Sequence, residues 1–473
     1  MKKIDILIRN GRVVDPVNSV DRITDVALAG GKIVSVADGL DPGVAEEVLD
    51  ADGMLVVPGV VDSHVHLVRG GSGGVPYNML LRCGVTTALD MRGGVDVFNS
   101  EMAVYGHGLN AACLHAIVIG KDVKAKDAGR EEVAAAIDAA LDKGAFGIKI
   151  LGGHYPFTPE TTAYIIDECA KRGAYVAFHA GSTATGSNIK GFEEAVALSE
   201  GRPLHIAHTN AYCRGQIDTP LRETQRLLDC LEANPHIVSE SYISVMNGTS
   251  AVLDENGTVK SGVTRTWLER KGYSTDKTGM GRAIRDGWAQ IYAKVGNELA
   301  FLPPDTGYAY WEKNDTDANC SFPVNDPVAM LACLRARRKD GSFTVDALST
   351  DGGGIPRNVI FENGVHLVAM RYITLQDLVL KSSYAPARML GLMDKGHLTP
   401  GADADVAVFC PVTGKAQYTI AGGIIRMAGG VCGTGPGTII TAKRGAPAVR
   451  ALGVPHIVVD MEHSTFMKGH LAL

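Results

Sequence analysis

The sequence predicts an α/β fold: a (β/α)8 barrel of TIM type, carrying a small β-sandwich domain built from both chain ends. Two patterns carry this expectation. The middle of the chain repeats near-continuous apolar runs, with amphipathic helical stretches between several of them. Both ends show short alternating segments with turn signals and no helical period. Apolar strands separated by helices form a parallel sheet covered on its faces, and such sheets close into barrels of ~250 residues plus insertions.

The N-terminal segment 3–57 holds IDILIRNGRVVD, DVALAGGKIVSVA and EEVLDADGMLVV, with Asn10-Gly11 and Gly30-Gly31 as hairpin signals. ADVAVFCPVTG, AQYTIAGGIIRMAGG and GTIITAKRG near the other end look the same. Neither end is long enough to bury a core alone, so residues 1–57 and 398–450 are expected to pair into one domain. The barrel is expected over 58–397, with VVPGVVDSHVHL, GVTTALDM, ACLHAIVIG, FGIKILGG, AYVAFHAG, PLHIAHTN and DALSTDGG as strands. REEVAAAIDAALDKG and PETTAYIIDECAKRG are two of its helices. Residues 240–330 break the pattern. They carry all three Trp and the polar stretch FLPPDTGYAYWEKNDTDANCSFPVND, and read as an insertion: a lid, a substrate wall or an oligomer contact. Residues 451–473 read as a C-terminal tail.

Lys plus Arg number 46 against 52 Asp plus Glu, a net charge of −6, which argues against a nucleic-acid partner. With 45% hydrophobic and 21% charged residues the chain is an ordered globular protein. Nine scattered Cys, never spaced as CxxC, fit free thiols in a reducing compartment. No segment reads as a signal peptide, and none approaches the ~18 apolar residues of a membrane span. A cytoplasmic protein with no membrane partner is expected.

The chemistry begins at His64 and His66 in PGVVDSHVHL. Residues i and i+2 of a strand point the same way, so both imidazoles reach one metal from one direction. Their place after an apolar strand, just before the Gly-rich VRGGSGG, strengthens the reading. Lys149 lies between two isoleucines in a strand, where lysine is unusual. His179, His208 and Asp351 each end a later strand. Any one of these histidines alone could be a satisfied core residue. Together they converge where barrels place catalytic groups.

PGVVDSHVHL, GIKI, FHAG, HIAHTN and STDGG, followed by SSYAPARMLGLMDKGHLTPGADADVAVF, resemble the amidohydrolase superfamily of metal-dependent hydrolases. The likeness runs over nearly the whole chain and is greatest to the D-aminoacylase, isoaspartyl dipeptidase and hydantoinase branches. It implies two divalent metal ions, zinc first among them, with His64, His66 and Asp351 on the more buried ion and His179 and His208 on the other. Lys149, carboxylated by carbon dioxide, would bridge them. D-aminoacylases carry a bridging cysteine after the second strand. GVTTALDMRGG has none, which makes Lys149 the better bridge.

The resemblance implies hydrolysis of a C–N amide bond in a small molecule, a cyclic amide or imide or an N-acyl amino acid. A metal-bridging hydroxide would attack the carbonyl, with Asp351 as general acid and base. Tyr155 is a candidate oxyanion donor, His154 a substrate contact, and Arg357, Arg92 and Arg214 candidate clamps for a substrate carboxylate. His205 reads as structural. The likeness also implies a homo-oligomer, dimer or tetramer. Two other readings stand beside this one: a deaminase of the same superfamily, opposed by HAGSTATG with no Glu after His179, and a non-catalytic hydantoinase-like scaffold, opposed by the full ligand set.

Overall fold

The computed structural model describes residues 3–68 and 73–469, so part of VRGGSGG lies outside the described residues. Alternating apolar residues give the first strands: β1 (Ile4–Asp15), β2 (Val20–Ala29), β3 (Lys32–Ala37), β4 (Ala45–Asp50) and β5 (Leu55–Pro58). The barrel follows with β6 (Val60–His66), β7 (Val85–Asp90), β8 (Asn110–Ala116), β9 (Gly147–Leu151), β10 (Tyr175–His179), β11 (Leu204–Ile206) and β12 (Ile237–Ser241). The insertion contributes β13 (Thr249–Ser250), β14 (Gln290–Val295), β15 (Glu298–Phe301) and β16 (Asn319–Ser321). Two short pieces, β17 (Ala347–Leu348) and β18 (Gly352–Gly353), complete the barrel. The end of the chain supplies β19 (Val406–Phe409), β20 (Ala416–Ala421), β21 (Ile424–Ala428), β22 (Val431–Cys432), β23 (Thr438–Ala442) and β24 (His456–Val459).

Strands β6 to β12 pair in parallel in sequence order, β17 adds to β12, and β18 pairs with β6. The eighth strand is therefore split, and Ser349–Asp351 bulge between its halves. Helices Arg130–Asp142, Pro159–Lys171, Ile189–Ser199 and Pro220–Ala233 cover the outside. Thr158, Asn188 and Thr219 cap the last three with side-chain oxygens, satisfying amides that have no partner within the helix.

The two chain ends meet in one nine-stranded sheet, joined where β5 pairs antiparallel with β19. Its core mixes Ile6, Val26 and Val56 with Val406, Val408 and Ile420, so neither end has a core without the other. This domain stops at β22. The segment of β23, expected in the sandwich with 398–450, instead pairs in parallel with β8 of the barrel. β9 covers β8 only from Leu114 onward, and β23 occupies the edge left open below it. Residues 451–469 are not a loose tail: β24 pairs with β23, and Phe466 stacks on Tyr175 with ring centroids 4.0 Å apart.

The insertion is not a polar loop. β13, β16, β14 and β15 form an antiparallel sheet with its own core of Trp267, Leu268, Met280, Ile284, Ile291, Trp311 and Phe322. The Pro- and Gly-rich text hid this because its apolar residues are sparse in sequence and meet only across strands. Among the described residues no helix is long and apolar enough to cross a membrane.

Candidate active site

The chemistry-bearing side chains collect at the carboxyl ends of the barrel strands. His64 and His66 project from the same side of β6. The Nε2 atoms of His64 and His66 lie 3.3 and 2.6 Å from the same Asp351 oxygen, Oδ1. His179 closes β10, and His208 follows β11 by two residues. The Nδ1 of His179 and the Nε2 of His208 are 3.1 Å apart. Ligand atoms of His64, His208 and Asp351 all fall within 4.8 Å of one another. Lys149, at the middle of β9, is 1% exposed, and its Nζ sits 3.1 Å from the Met91 sulfur.

The backbone is bent to present these groups. His208 (φ 38°) and Asp351 (φ 48°) both occupy the left-handed region, which costs a non-glycine residue of order 1–3 kcal/mol and persists where the surroundings enforce it. Gly153 is required by close approach: a Cβ there would meet His179 Nε2 at 2.2 Å.

Burial sets the protonation states. It pushes His64 and His66 each down to about 3, and His179 and His208 well below the usual imidazole range. All four rings are neutral at physiological pH, the form that binds metal. Burial also pushes the Lys149 amine down to about 8, against the pull of Glu240, Asp351 and Asp90. Burial alone would raise Asp351; the charge of Arg357 and the hydrogen bond from His66 outweigh it and hold the carboxyl well below its ordinary value.

These residues fit a metal centre. Imidazole and carboxylate donors suit zinc and its neighbours. His66 Nδ1 and His208 Nδ1 are buried ring nitrogens with no hydrogen-bond partner among the described residues. His179 and His208 bring two neutral ring nitrogens almost into contact. They share one hydrogen bond at 3.1 Å, an arrangement in which a cation could take the place of the shared hydrogen.

Three buried acids support the site, and the sequence reading missed them. Asp62 accepts the Thr350 hydroxyl (2.6 Å) and the amides of Thr350 and His64, tying β6 to the loop that carries Asp351. Burial raises its carboxyl to about 7 in spite of those bonds. Asp90 accepts the amides of Leu67 and Gly93 (2.7 and 2.8 Å), joining β7 to the turn after His66. Glu240, fully buried at the end of β12, places Oε1 2.7 Å from His64 Nδ1 and accepts the His208 amide at 2.7 Å. Its Oε2 accepts the Ser349 hydroxyl. Burying a carboxylate costs several kcal/mol, and bonds to a charged group return ~1.5–3 kcal/mol each, so the three contacts together offset that cost. The signal was present: VVD, TALD and VSE each put an acid within or at the end of an apolar strand, the same anomaly that singled out Lys149.

The outer candidates fare differently. Arg357 is not open to a substrate carboxylate. It is 2% exposed, its Nη2 lies 2.5 Å from Asp351 Oδ2, and it donates to the backbone oxygens of Asp351 and Met246. The carboxylate it grips is the protein's own. Arg214 is half-buried, donating to Asn325 Oδ1 and to the Tyr242 hydroxyl, and so binds the insertion to the barrel. Arg92 is exposed and near enough to His66 to disfavour its protonation. His154 is exposed with its ring 5.7 Å from that of His179. Tyr155, 45% exposed, lies on the same turn, its amide bonded to Leu151 O. His205 is buried beneath the cluster, its Nδ1 2.9 Å from the Tyr175 hydroxyl. Tyr242 and Met246, at the root of the insertion, touch Arg357, so this part of the insertion forms a wall of the site.

Residues 305–440 match the model of the amidohydrolase family. The chain is 24% identical to a dihydroorotase of Geotalea daltonii, over 88% of this chain and 91% of that protein. It is 26% identical to an N-acyl-D-aspartate deacylase of Alcaligenes xylosoxydans xylosoxydans, over 88% of each. Among solved structures, D-aminoacylase, studied for its binuclear metal centre, superposes with a TM-score of 0.66 at 18% identity, covering 92% of this chain and 99% of that one. N-acyl-D-glutamate deacylase from Bordetella bronchiseptica, complexed with zinc and a phosphonate inhibitor, gives 0.65 at 16% identity with the same coverage. Over most of its length the chain is similar to metal-dependent amidohydrolases, and the resemblance read from the sequence is borne out.

Proposed function

We propose that this chain hydrolyses a C–N amide bond in a small molecule, a cyclic amide or imide or an N-acyl amino acid, with two divalent ions at the barrel mouth. The observation that carries it is the convergence of four neutral imidazoles, an anionic Asp351 and a lysine with depressed basicity at one end of one barrel. His64, His66 and Asp351 would hold one ion and His179 and His208 the other. Lys149 in carboxylated form would bridge them, and zinc suits the donor set. When bound, the ions supply a water of lowered pKa and polarise the scissile carbonyl.

The protein's own groups have separate tasks. Asp351 stays anionic because Arg357 holds its second oxygen, and so it is ready to take a proton and return it to the leaving nitrogen. The dry walls that keep the imidazoles neutral keep the Lys149 amine partly neutral, the form that reacts with carbon dioxide. Tyr155 and His154, on the turn after β9, and Arg92, beside His66, face arriving substrate. The bridging lysine and the absence of an acid in HAGSTATG favour amide hydrolysis over deamination. The free cysteines support a reducing, cytoplasmic location, and the resemblance supports a homo-oligomer of two or four copies, which light scattering would measure.

The test is a hydrolysis screen of metal-replete protein across cyclic imides, hydantoins, N-acyl D- and L-amino acids and β-aspartyl dipeptides. Turnover of one class, lost on chelation and restored by zinc, is expected. Ammonia release from aminated heterocycles with no amide cleaved would overturn the reading.

A further inference from the structure

We propose that Glu240 is the positioning residue of the metal centre: one buried carboxylate fixes which nitrogen of His64 faces the centre and holds His208 beside it. The inference rests on the metal-binding reading above. Glu240 lies 176 residues from His64 and 32 from His208, and only the closing of the barrel brings the three together.

The argument is one of donors and acceptors. Glu240 Oε1 accepts the backbone N–H of His208, so at that oxygen the carboxylate acts as acceptor. His64 Nδ1, 2.7 Å from the same oxygen, therefore carries the ring hydrogen, by assignment from the network. A neutral imidazole has one N–H, so Nε2 keeps its lone pair. Nε2 is the nitrogen that faces Asp351 at 3.3 Å. Without the carboxylate, the neutral ring of His64 could take either tautomer, and one of them turns a hydrogen toward the place a cation must occupy. The same oxygen restrains His208, whose left-handed backbone is a strained state that needs an enforcing contact.

Glu240 is itself held. The Ser349 hydroxyl donates to Oε2, and the Thr209 hydroxyl donates to the Glu240 backbone oxygen at 3.1 Å. His205 lies beneath with Nε2 3.8 Å from Oε1, and its other nitrogen meets Tyr175, on which Phe466 stacks. To turn away, the carboxylate would have to break its contacts with His64, His208 and Ser349. Outer carboxylates that orient metal-binding imidazoles are worth 10–100-fold in metal affinity.

The experiment titrates zinc into metal-depleted full-length chain against a chromophoric chelator, and records the visible spectrum of the cobalt-loaded protein. Wild type is compared with Glu240→Ala, Glu240→Gln and Asp346→Asn. Asp346 is a buried acid that accepts the amide of Ser239, the residue before Glu240 on β12, at 2.8 Å. Expected is a 10–100-fold loss of zinc affinity in Glu240→Ala with an altered cobalt spectrum. Glu240→Gln, whose amide oxygen can still accept from His64, should recover part of that affinity. Asp346→Asn should lower the melting temperature and leave zinc affinity within twofold. Folded Glu240→Ala with wild-type affinity overturns the proposal, as does a loss no larger than that of Asp346→Asn. Should Glu240→Ala fail to fold, Glu240→Gln decides: a weakened site supports the role and unchanged affinity refutes it. A wild-type chain that takes up no zinc overturns the proposed function, and this inference with it.

Discussion

Carboxylation of Lys149 can be followed without any substrate, because its rate tracks the neutral amine. Burial places that amine at about 8 instead of the ordinary 10.5. At pH 7.5 about a quarter of it is then neutral, against ~0.1% for an ordinary lysine, a gain of about 200-fold. The perturbation is pH, with dissolved carbon dioxide held constant. As pH rises, a group with a lowered pKa loses its proton earlier, so the rate climbs up to pH 8 and then levels off. Between pH 8.5 and 9.5 it approaches a plateau, whereas an ordinary lysine gains about tenfold. The assay is the 13C carbamate signal of metal-depleted chain in labelled carbon dioxide, assigned by its absence in Lys149→Ala. A rate that continues to rise tenfold per pH unit through 9.5 refutes the reasoning, since it means that the strand environment leaves the amine unperturbed.

Three further outcomes follow from the contacts described. Asp351→Asn keeps the fold but removes the proton carrier; kcat should fall by 10²–10⁴-fold with unchanged circular dichroism, and near-normal turnover refutes the role. Arg357→Met frees the second oxygen of Asp351 and removes the cation that holds its pKa down. The acid limb of the kcat/KM profile should move to higher pH, and a profile that stays in place shows that Arg357 does not tune the carboxylate. Lys381, buried below the barrel with Nζ 2.5 Å from Val345 O, is pushed down to about 7 by burial. As pH falls from 10.5 the unfolded chain takes up that proton first, so stability is lost down to about pH 7 and the full cost applies below it. Urea midpoints at pH 7 and 10 should therefore show wild type gaining on Lys381→Met as pH rises; a gap independent of pH refutes the shift.

The sequence alone determined most of the barrel strands and marked several of the groups that meet at their ends. Apolar runs closed by His, Lys or Asp are anomalies that burial makes costly, and such residues are retained where they bind something. His64 and His66 were legible because a strand's period of two puts them on one side without further information. Arg357 was legible as a residue of the site but not in its task, because sequence does not reveal that the nearest carboxylate is Asp351, six positions away across a left-handed turn. Glu240 was passed over although VSE carries the same anomaly as Lys149. Its meaning lies in contacts with His64 and His208 that exist only after β6, β11 and β12 are closed into a ring. The place of β23 beside β8, and the separate core of the insertion, depended likewise on which edges were left open and which apolar residues met across strands. Local pattern reports what a segment prefers. Pairing partners, hydrogen-bond acceptors and protonation states are properties of neighbours far away in the chain, and only the folded barrel supplies those.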